Sequence, residues 1–169
     1  MLIGQSNQST LFASGKDDDE ATDRTYIQLG SVLHKVFSTI RTTADIDRAL
    51  LQLEHEGIIY DRDITRQRIE QLIRKRLSDP RVADWFSGRW TLYNECNILT
   101  PEGDTYRPDR VMTNGQDTIV VDFKFGRERD EYHDQVRGYM SLLGQMGHPQ
   151  TKGYLWFVYS NKIVPVTSL

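Results

Sequence analysis

Cysteine is almost missing from this chain: Cys96 is the only one in 169 residues. That excludes an intramolecular disulfide and any cluster held by four cysteines, and it makes a reducing, cytoplasmic location the default expectation. Long apolar runs are missing too. No stretch approaches the ~20 residues that cross a bilayer as a helix, and Met1 to Gln8 lacks the basic and apolar regions of a secretory signal. Nothing matches G-x-x-x-x-G-K-S/T, so no nucleotide-binding P-loop is expected. An excess of basic charge is also lacking. Lys and Arg number 21 against 24 Asp and Glu, for a net charge of −3, whereas a strong binder of polyanions carries the opposite balance. The deficit is local. Residues 1–24 hold five acids (Asp17, Asp18, Asp19, Glu20, Asp23) and two bases (Lys16, Arg24), and the remainder carries 19 of each.

At this length one domain is the ordinary expectation. Residues 1–24, rich in Ser, Gln, Asp and Thr, read as a flexible acidic tail or linker, which leaves 25–169 as the folded domain. From Tyr26 the pattern turns helical, with Leu29, Val32, Leu33, Val36, Phe37 and Ile40 on one stripe. Ile46, Ala49, Leu50 and Leu53 make a second helix that Gly57 stops. A third runs from about Asp63 to Leu77 with Ile69, Leu72, Ile73 and Leu77 inward. Asp79-Pro80 supplies the N-cap and first-turn proline of a short fourth helix ending near Trp85-Phe86. Strands follow over Trp90–Leu99, Tyr106–Thr113 and Thr118–Phe125, as a three-strand meander. A helix over Glu131 to about Gln145 carries Tyr132, Val136, Tyr139, Met140 and Leu143 on one face. Gly153–Tyr159 and Ile163–Val166 close the chain as strands. The order implies an α/β fold, a mixed central sheet flanked by helices, behind an N-terminal helical region.

Within that order one pattern carries chemistry. Asp109 precedes Asp122 by twelve intervening residues, and Asp122-Phe123-Lys124 follows the apolar pair Val120-Val121. Alternation along a strand puts Asp122 and Lys124 on one side and Ile119, Val121, Phe123 and Phe125 on the other. Two carboxylates and a lysine converging at the end of a hairpin suit a hard divalent cation and a phosphate. Simpler roles exist for each. Asp122 could pair only with Lys124 or an arginine, Asp109 with Arg110, and Lys124 could lie at a strand edge with its ammonium in water.

The pattern resembles the PD-(D/E)XK nuclease superfamily, and further elements extend the likeness to its RecB-like branch. Gly30-Ser31-Val32-Leu33-His34 is similar to the helical G-x-x-x-H element of that branch. Glu95 sits where relatives have a glutamate on the first core strand, and Gln135-Val136-Arg137-Gly138-Tyr139 is similar to the Q-x-x-x-Y element. The elements come in the family's order over residues 28–140. The closest likeness is to the C-terminal nuclease domains of RecB- and AddA-type helicase–nucleases. This resemblance implies a restriction-endonuclease-like core and a deoxyribonuclease, of exonuclease type, serving DNA repair or recombination. It implies that Asp109, Asp122, His34 and the backbone carbonyl of Phe123 hold Mg²⁺ or Mn²⁺, with Lys124 and Glu95 completing the catalytic set. Gln135 and Tyr139 would bind DNA or position the lysine strand. Phe123 and Phe125 stand where relatives often have tyrosine and threonine, which removes no metal-binding side chain.

The same resemblance implies DNA as substrate and a helicase motor on this or a partner polypeptide; the lone Cys96 argues against the iron–sulfur cluster that some relatives carry, and the lack of a long apolar run against a membrane. Arg127, Arg129 and Arg137 lie near the site in sequence and are candidates for DNA contact. Arg66, Arg68, Arg74, Lys75 and Arg76 on the third helix could track phosphates or simply form a solvated face. A non-catalytic DNA-binding or subunit-docking module of the same fold is the competing expectation.

Overall fold

A computed structural model provides the structure of this chain. It describes residues 16–59, 65–93, 97–148 and 150–168, with side chains from Arg24 onward. Contacts divide the chain into two compact units: Met1–Ser87 with Phe125–Arg127, and Gly88–Lys124 with Glu128–Leu169. The sequence alone predicts one domain over 25–169.

The first unit is helical. Helix α1 spans Lys16–Thr39, so it begins upstream of Tyr26 and takes in part of the segment read as a tail. Val32, Leu33, Val36, Phe37 and Ile40 are buried as the spacing requires. A 3-10 turn, Thr43–Asp45, leads into α2, Ile46–His55, whose buried residues are Ile46, Leu50 and Leu53. Helix α3, Arg66–Leu77, is capped by Thr65, whose hydroxyl accepts from the Arg68 amide. The expected start at Asp63 lies outside the described residues. Helix α4, Pro80–Ala83, has the expected Asp79 cap, accepting from the Arg81 amide at 2.9 Å.

The turn between α1 and α2 is a reciprocal cap. Thr42 Oγ1 accepts from the Ala44 amide at 3.2 Å, and Asp45 Oδ2 accepts from the amides of Arg41 and Thr42 at 3.0 and 3.1 Å. The Thr42 amide above all, then the Arg41 amide and the Arg48 guanidinium, hold the Asp45 carboxyl below its ordinary 3.8. A folded pKa below the unfolded one adds stability that is present above the unfolded value and lost as pH falls through the folded one. Asp45→Ala should therefore lower the urea midpoint at pH 7, consistent with the loss of about 1 kcal/mol for a helix cap. The gap to wild type should close as pH falls below 3.8.

The second unit is built on a five-stranded mixed sheet of order β1-β4-β5-β6-β7. Its strands are β1 (Thr91–Leu92), β4 (Arg110–Thr113), β5 (Thr118–Lys124), β6 (Thr151–Phe157) and β7 (Lys162–Val166). The remaining two, β2 (Ile98–Leu99) and β3 (Thr105–Tyr106), form a separate antiparallel ribbon. The expected three-strand meander is thus split between two sheets. Pro108 explains the break between β3 and β4, since it has no N–H to offer a ladder. Strand β5 pairs antiparallel with β4 and parallel with β6, and helix α5, Asp130–Gln145, is the crossover between them. Ile98, Val111, Val120, Val136, Tyr139, Met140, Leu143, Leu155, Phe157 and Val166 make the core between sheet and helix. Among the described residues no helix is long and apolar enough to cross a membrane.

The β4–β5 turn fixes the register on which the site depends. Asn114 Oδ1 accepts from the amides of Gln116 and Asp117 at 2.9 and 2.7 Å. Gly115 takes φ +92°, open to glycine at little cost. The resulting ladder sets Arg110 opposite Val121 and Met112 opposite Ile119.

Candidate functional site

Continuing that register by one residue sets Asp109 opposite Asp122. Directly opposed residues share a face, with Cβ atoms about 5 Å apart, so the two carboxyl groups meet. A bond from the backbone fixes the first of them: the Phe123 amide donates to Asp109 Oδ2 at 2.8 Å. In an antiparallel pair the N–H and C=O of one residue point to the same edge. The Phe123 carbonyl therefore faces the edge where the Asp109 carboxylate lies. One strand register thus aims two carboxylates and a carbonyl at the same region.

Lys124 Nζ lies 2.7 Å from Asp122 Oδ2. That oxygen is buried without a well-aligned hydrogen bond, and the Lys124 charge beside it favours its ionised form. The ammonium donates to Gln135 Oε1 at 3.0 Å, and Gln135 Nε2 donates to the Tyr139 hydroxyl, also at 3.0 Å. The Tyr132 ring lies 4.2 Å below Nζ, close enough for a cation–π contact. Gln135 and Tyr139 are one turn apart on α5 and share a face, which is why the Q-x-x-x-Y spacing can build this relay. Tyr132, one turn before Gln135, joins the same face. From the sequence alone it belongs to the apolar stripe of the helix.

Burial dominates the electrostatics. Asp122 is 1% exposed and Lys124 6%. Burial first, and then the neighbouring Asp109, push the Asp122 carboxyl well above its ordinary 3.8, against the opposing pull of Lys124. Burial also raises the Tyr139 phenol, with Asp122 and Asp109 adding to the effect. Two carboxyl groups this close each disfavour the other's ionisation, which Lys124 opposes only in part.

The structure corrects the two-sided picture of β5. All seven of its residues are buried, because α5 covers the face that carries Asp122 and Lys124. The opposite face is not wholly apolar: Arg110, in register with Val121, is 2% exposed there. Its Nε lies 3.3 Å from Met112 Sδ, and burial pushes its pKa down to about 9. Alternation along the strand thus puts Arg110 on the face opposite to that of Asp109 and Asp122. Phe125 lies beyond the end of β5 and belongs to the first unit.

The other expected residues fall as follows. Glu95, with Cys96, lies outside the described residues. His34 is half-buried on α1 in the first unit, where Ser38 donates to its carbonyl at 2.6 Å. Arg137 sits two residues from Gln135, nearly opposite around the helix. It bonds Thr167 O and Asp134 at 2.9 Å each, so it is not brought to Lys124. Arg127 is exposed in the segment after Lys124, and Arg129 contacts Glu131 at 3.4 Å. On α3, Arg66 reaches Glu54 at 3.8 Å, and Arg74 reaches Glu70 and Asp47 at 3.0 and 3.7 Å. Those pairs fit a solvated helix face.

Among the described residues no three His, Cys, Asp or Glu side chains stand together as a ready metal cage. What the second unit offers is a pair of carboxylates and an adjacent carbonyl edge. That all-oxygen set fits a hard divalent cation such as Mg²⁺, which keeps several waters and asks for few protein ligands. It fits Zn²⁺ poorly, for want of nitrogen or sulfur donors. The buried, unaligned Asp122 Oδ2 and the raised Asp122 pKa are both features that a cation between the carboxylates would relieve. No protein-family model matches the chain, and no curated protein is significantly similar to it.

Proposed function

We propose that this chain is a metal-dependent deoxyribonuclease, hydrolysing DNA phosphodiesters of the kind met in repair or recombination. One observation carries the reading: Asp109 and Asp122 face each other while Lys124 Nζ, 2.7 Å from Asp122, is held by the Gln135–Tyr139 relay. Asp109, Asp122 and the Phe123 carbonyl would hold Mg²⁺ or Mn²⁺. Bound there, the ion lowers the pKa of a coordinated water and draws charge from the phosphodiester. The protein's own part is orientation and charge. Asp109 is locked by the Phe123 amide, so the pair is preorganised. Lys124 presents its ammonium toward a bound phosphate and offsets the charge that builds on its non-bridging oxygens. Gln135 Oε1 keeps that ammonium in place. In the reaction a water oxygen bonds to phosphorus and the P–O3′ bond breaks. The water's proton goes to solvent, the 3′ oxygen takes one up, and the products are a 5′-phosphate and a 3′-hydroxyl. His34, Glu95 and a helicase motor are further parts that the family resemblance supplies to this proposal.

The test is incubation of linear single- and double-stranded DNA with the protein in Mg²⁺, Mn²⁺ or chelator, reading product ends over time. The reading expects cleavage with either metal, none with chelator, and 5′-phosphate ends. Metal-stimulated binding without cleavage would favour the non-catalytic module instead. Gln135→Leu offers a finer check. A hydrogen bond to a charged group contributes about 1.5–3 kcal/mol, so the variant should cleave roughly 10- to 150-fold more slowly. Its Mn²⁺ affinity, measured by calorimetry, should match wild type.

A further inference from the structure

We infer that Tyr106 is a substrate-binding residue that stacks on the base next to the scissile phosphate, making single-stranded or frayed DNA the preferred substrate. This rests on the nuclease reading and deepens it. The β2–β3 register pairs Tyr106 with Ile98, so the two side chains share a face. Ile98 is buried in the core against α5. Tyr106 thereby leans on α5, with its ring edge-on to Tyr139 at a centroid distance of 6.4 Å and an interplanar angle of 60°. Tyr139 is the buried end of the relay that holds Lys124. The Tyr106 ring is thus seated against the lysine's own support, yet 42% of the residue stays exposed. Little ordering remains to be done when a base lands on a ring already held in place.

The position along the chain agrees. Tyr106 leads through Arg107 and Pro108 to Asp109, and so short a segment spans at most about 10 Å even when extended. With a phosphate at the carboxylate pair, Tyr106 is within reach of the adjoining nucleotides. A base can use the ring only if its own face is open. In a duplex that face is already stacked, so the contact selects single strands and frayed ends. Aromatic stacking is indifferent to base identity, so no sequence preference follows from it.

The experiment uses the full chain with Tyr106→Ala and Tyr106→Trp. The probe is a single-stranded oligodeoxynucleotide carrying 2-aminopurine, bound in Ca²⁺, followed by cleavage in Mg²⁺. Tyr106→Ala should weaken single-strand binding roughly 5- to 150-fold, the range for one lost base stack, and abolish the quenching of 2-aminopurine. Its effect on cleavage should fall on KM rather than kcat, and more heavily for single strands than for a blunt duplex. Tyr106→Trp should restore both binding and quenching. Unchanged affinity and quenching in Tyr106→Ala, beside active wild-type cleavage, would overturn this inference alone. An equal kcat loss on single and double strands would also overturn it, marking Tyr106 as a structural prop of the Lys124 relay. Absence of cleavage by wild type would overturn the nuclease reading itself.

Discussion

Gly153→Val should strongly destabilise the second unit, and Gly153→Ala should do so measurably. Gly153 lies in the middle of the sheet, between Val120 and Val166. A Cβ built on it would stand 2.5 Å from Val136 Cγ1 and 2.6 Å from Met140 Sδ. Methionine can bend away, but Val136 is fully buried and its χ1 is nearly fixed in a helix. The remaining response is for α5 to lift from the sheet. Overpacking of this kind typically costs 1–3 kcal/mol. For alanine it is partly offset by the ~0.5–1 kcal/mol gained when glycine leaves a strand. Valine gains as much from replacing a strand glycine but adds two methyl groups to the overlap, and a net loss of about 3 kcal/mol is expected for it. A urea midpoint read on the purified variants checks this. Because α5 carries Gln135 and Tyr139, Gly153→Ala should also loosen the hold on Lys124 and slow cleavage. An unchanged midpoint in Gly153→Val would mean that the close packing of β6 on α5 is not present.

Asp122→Asn should separate stability from activity. Asp122's carboxyl is raised above its unfolded 3.8, by burial first and by Asp109 next. For such a group the favourable contribution is fully present below the unfolded pKa and is lost as pH rises through the folded pKa. Asparagine mimics the protonated form at every pH. In chelator the variant should melt with wild type near pH 4 and above it at pH 8, the gap widening with pH. Divalent cation should raise the wild-type melting temperature at pH 8 and leave the variant unmoved. On the nuclease reading the gain in stability should come with a loss of cleavage, the trade-off of a site that keeps an awkward charge for chemistry. A variant that melts lower than wild type at pH 8 in chelator would show that the Lys124 pair outweighs the burial of the carboxylate.

Much of this was legible because local rules and global packing agree. Asp79-Pro80 announced a capped helix, and Asp109 and Asp122 on successive strands announced two carboxylates converging at the end of a hairpin. What escaped was tertiary. Alternation in β5 read as one dry and one open face, since nothing in a single strand says that a helix will cover its polar side. The cover was written elsewhere, in Gln135 and Tyr139, which turn a polar strand face into a satisfied interior. Arg110 was unreadable for the same reason. Pro108 could have been read as a ladder break, dividing the stretch drawn as one strand. The early start of α1 also had a signal: Asp17, Asp18, Asp19 and Glu20 are the acids that favour a first helical turn, although they were read as a tail.

The most direct test of the central claim is the cleavage rate of a linear oligodeoxynucleotide by wild type and Asp122→Asn, prepared identically and compared in Mg²⁺. If Asp109 and Asp122 hold the ion that activates the attacking water, removing one charged ligand should slow cleavage by about a thousandfold or more, with the variant still folded and, in chelator at pH 8, at least as heat-stable as wild type. Rates within a few-fold of one another would contradict the account.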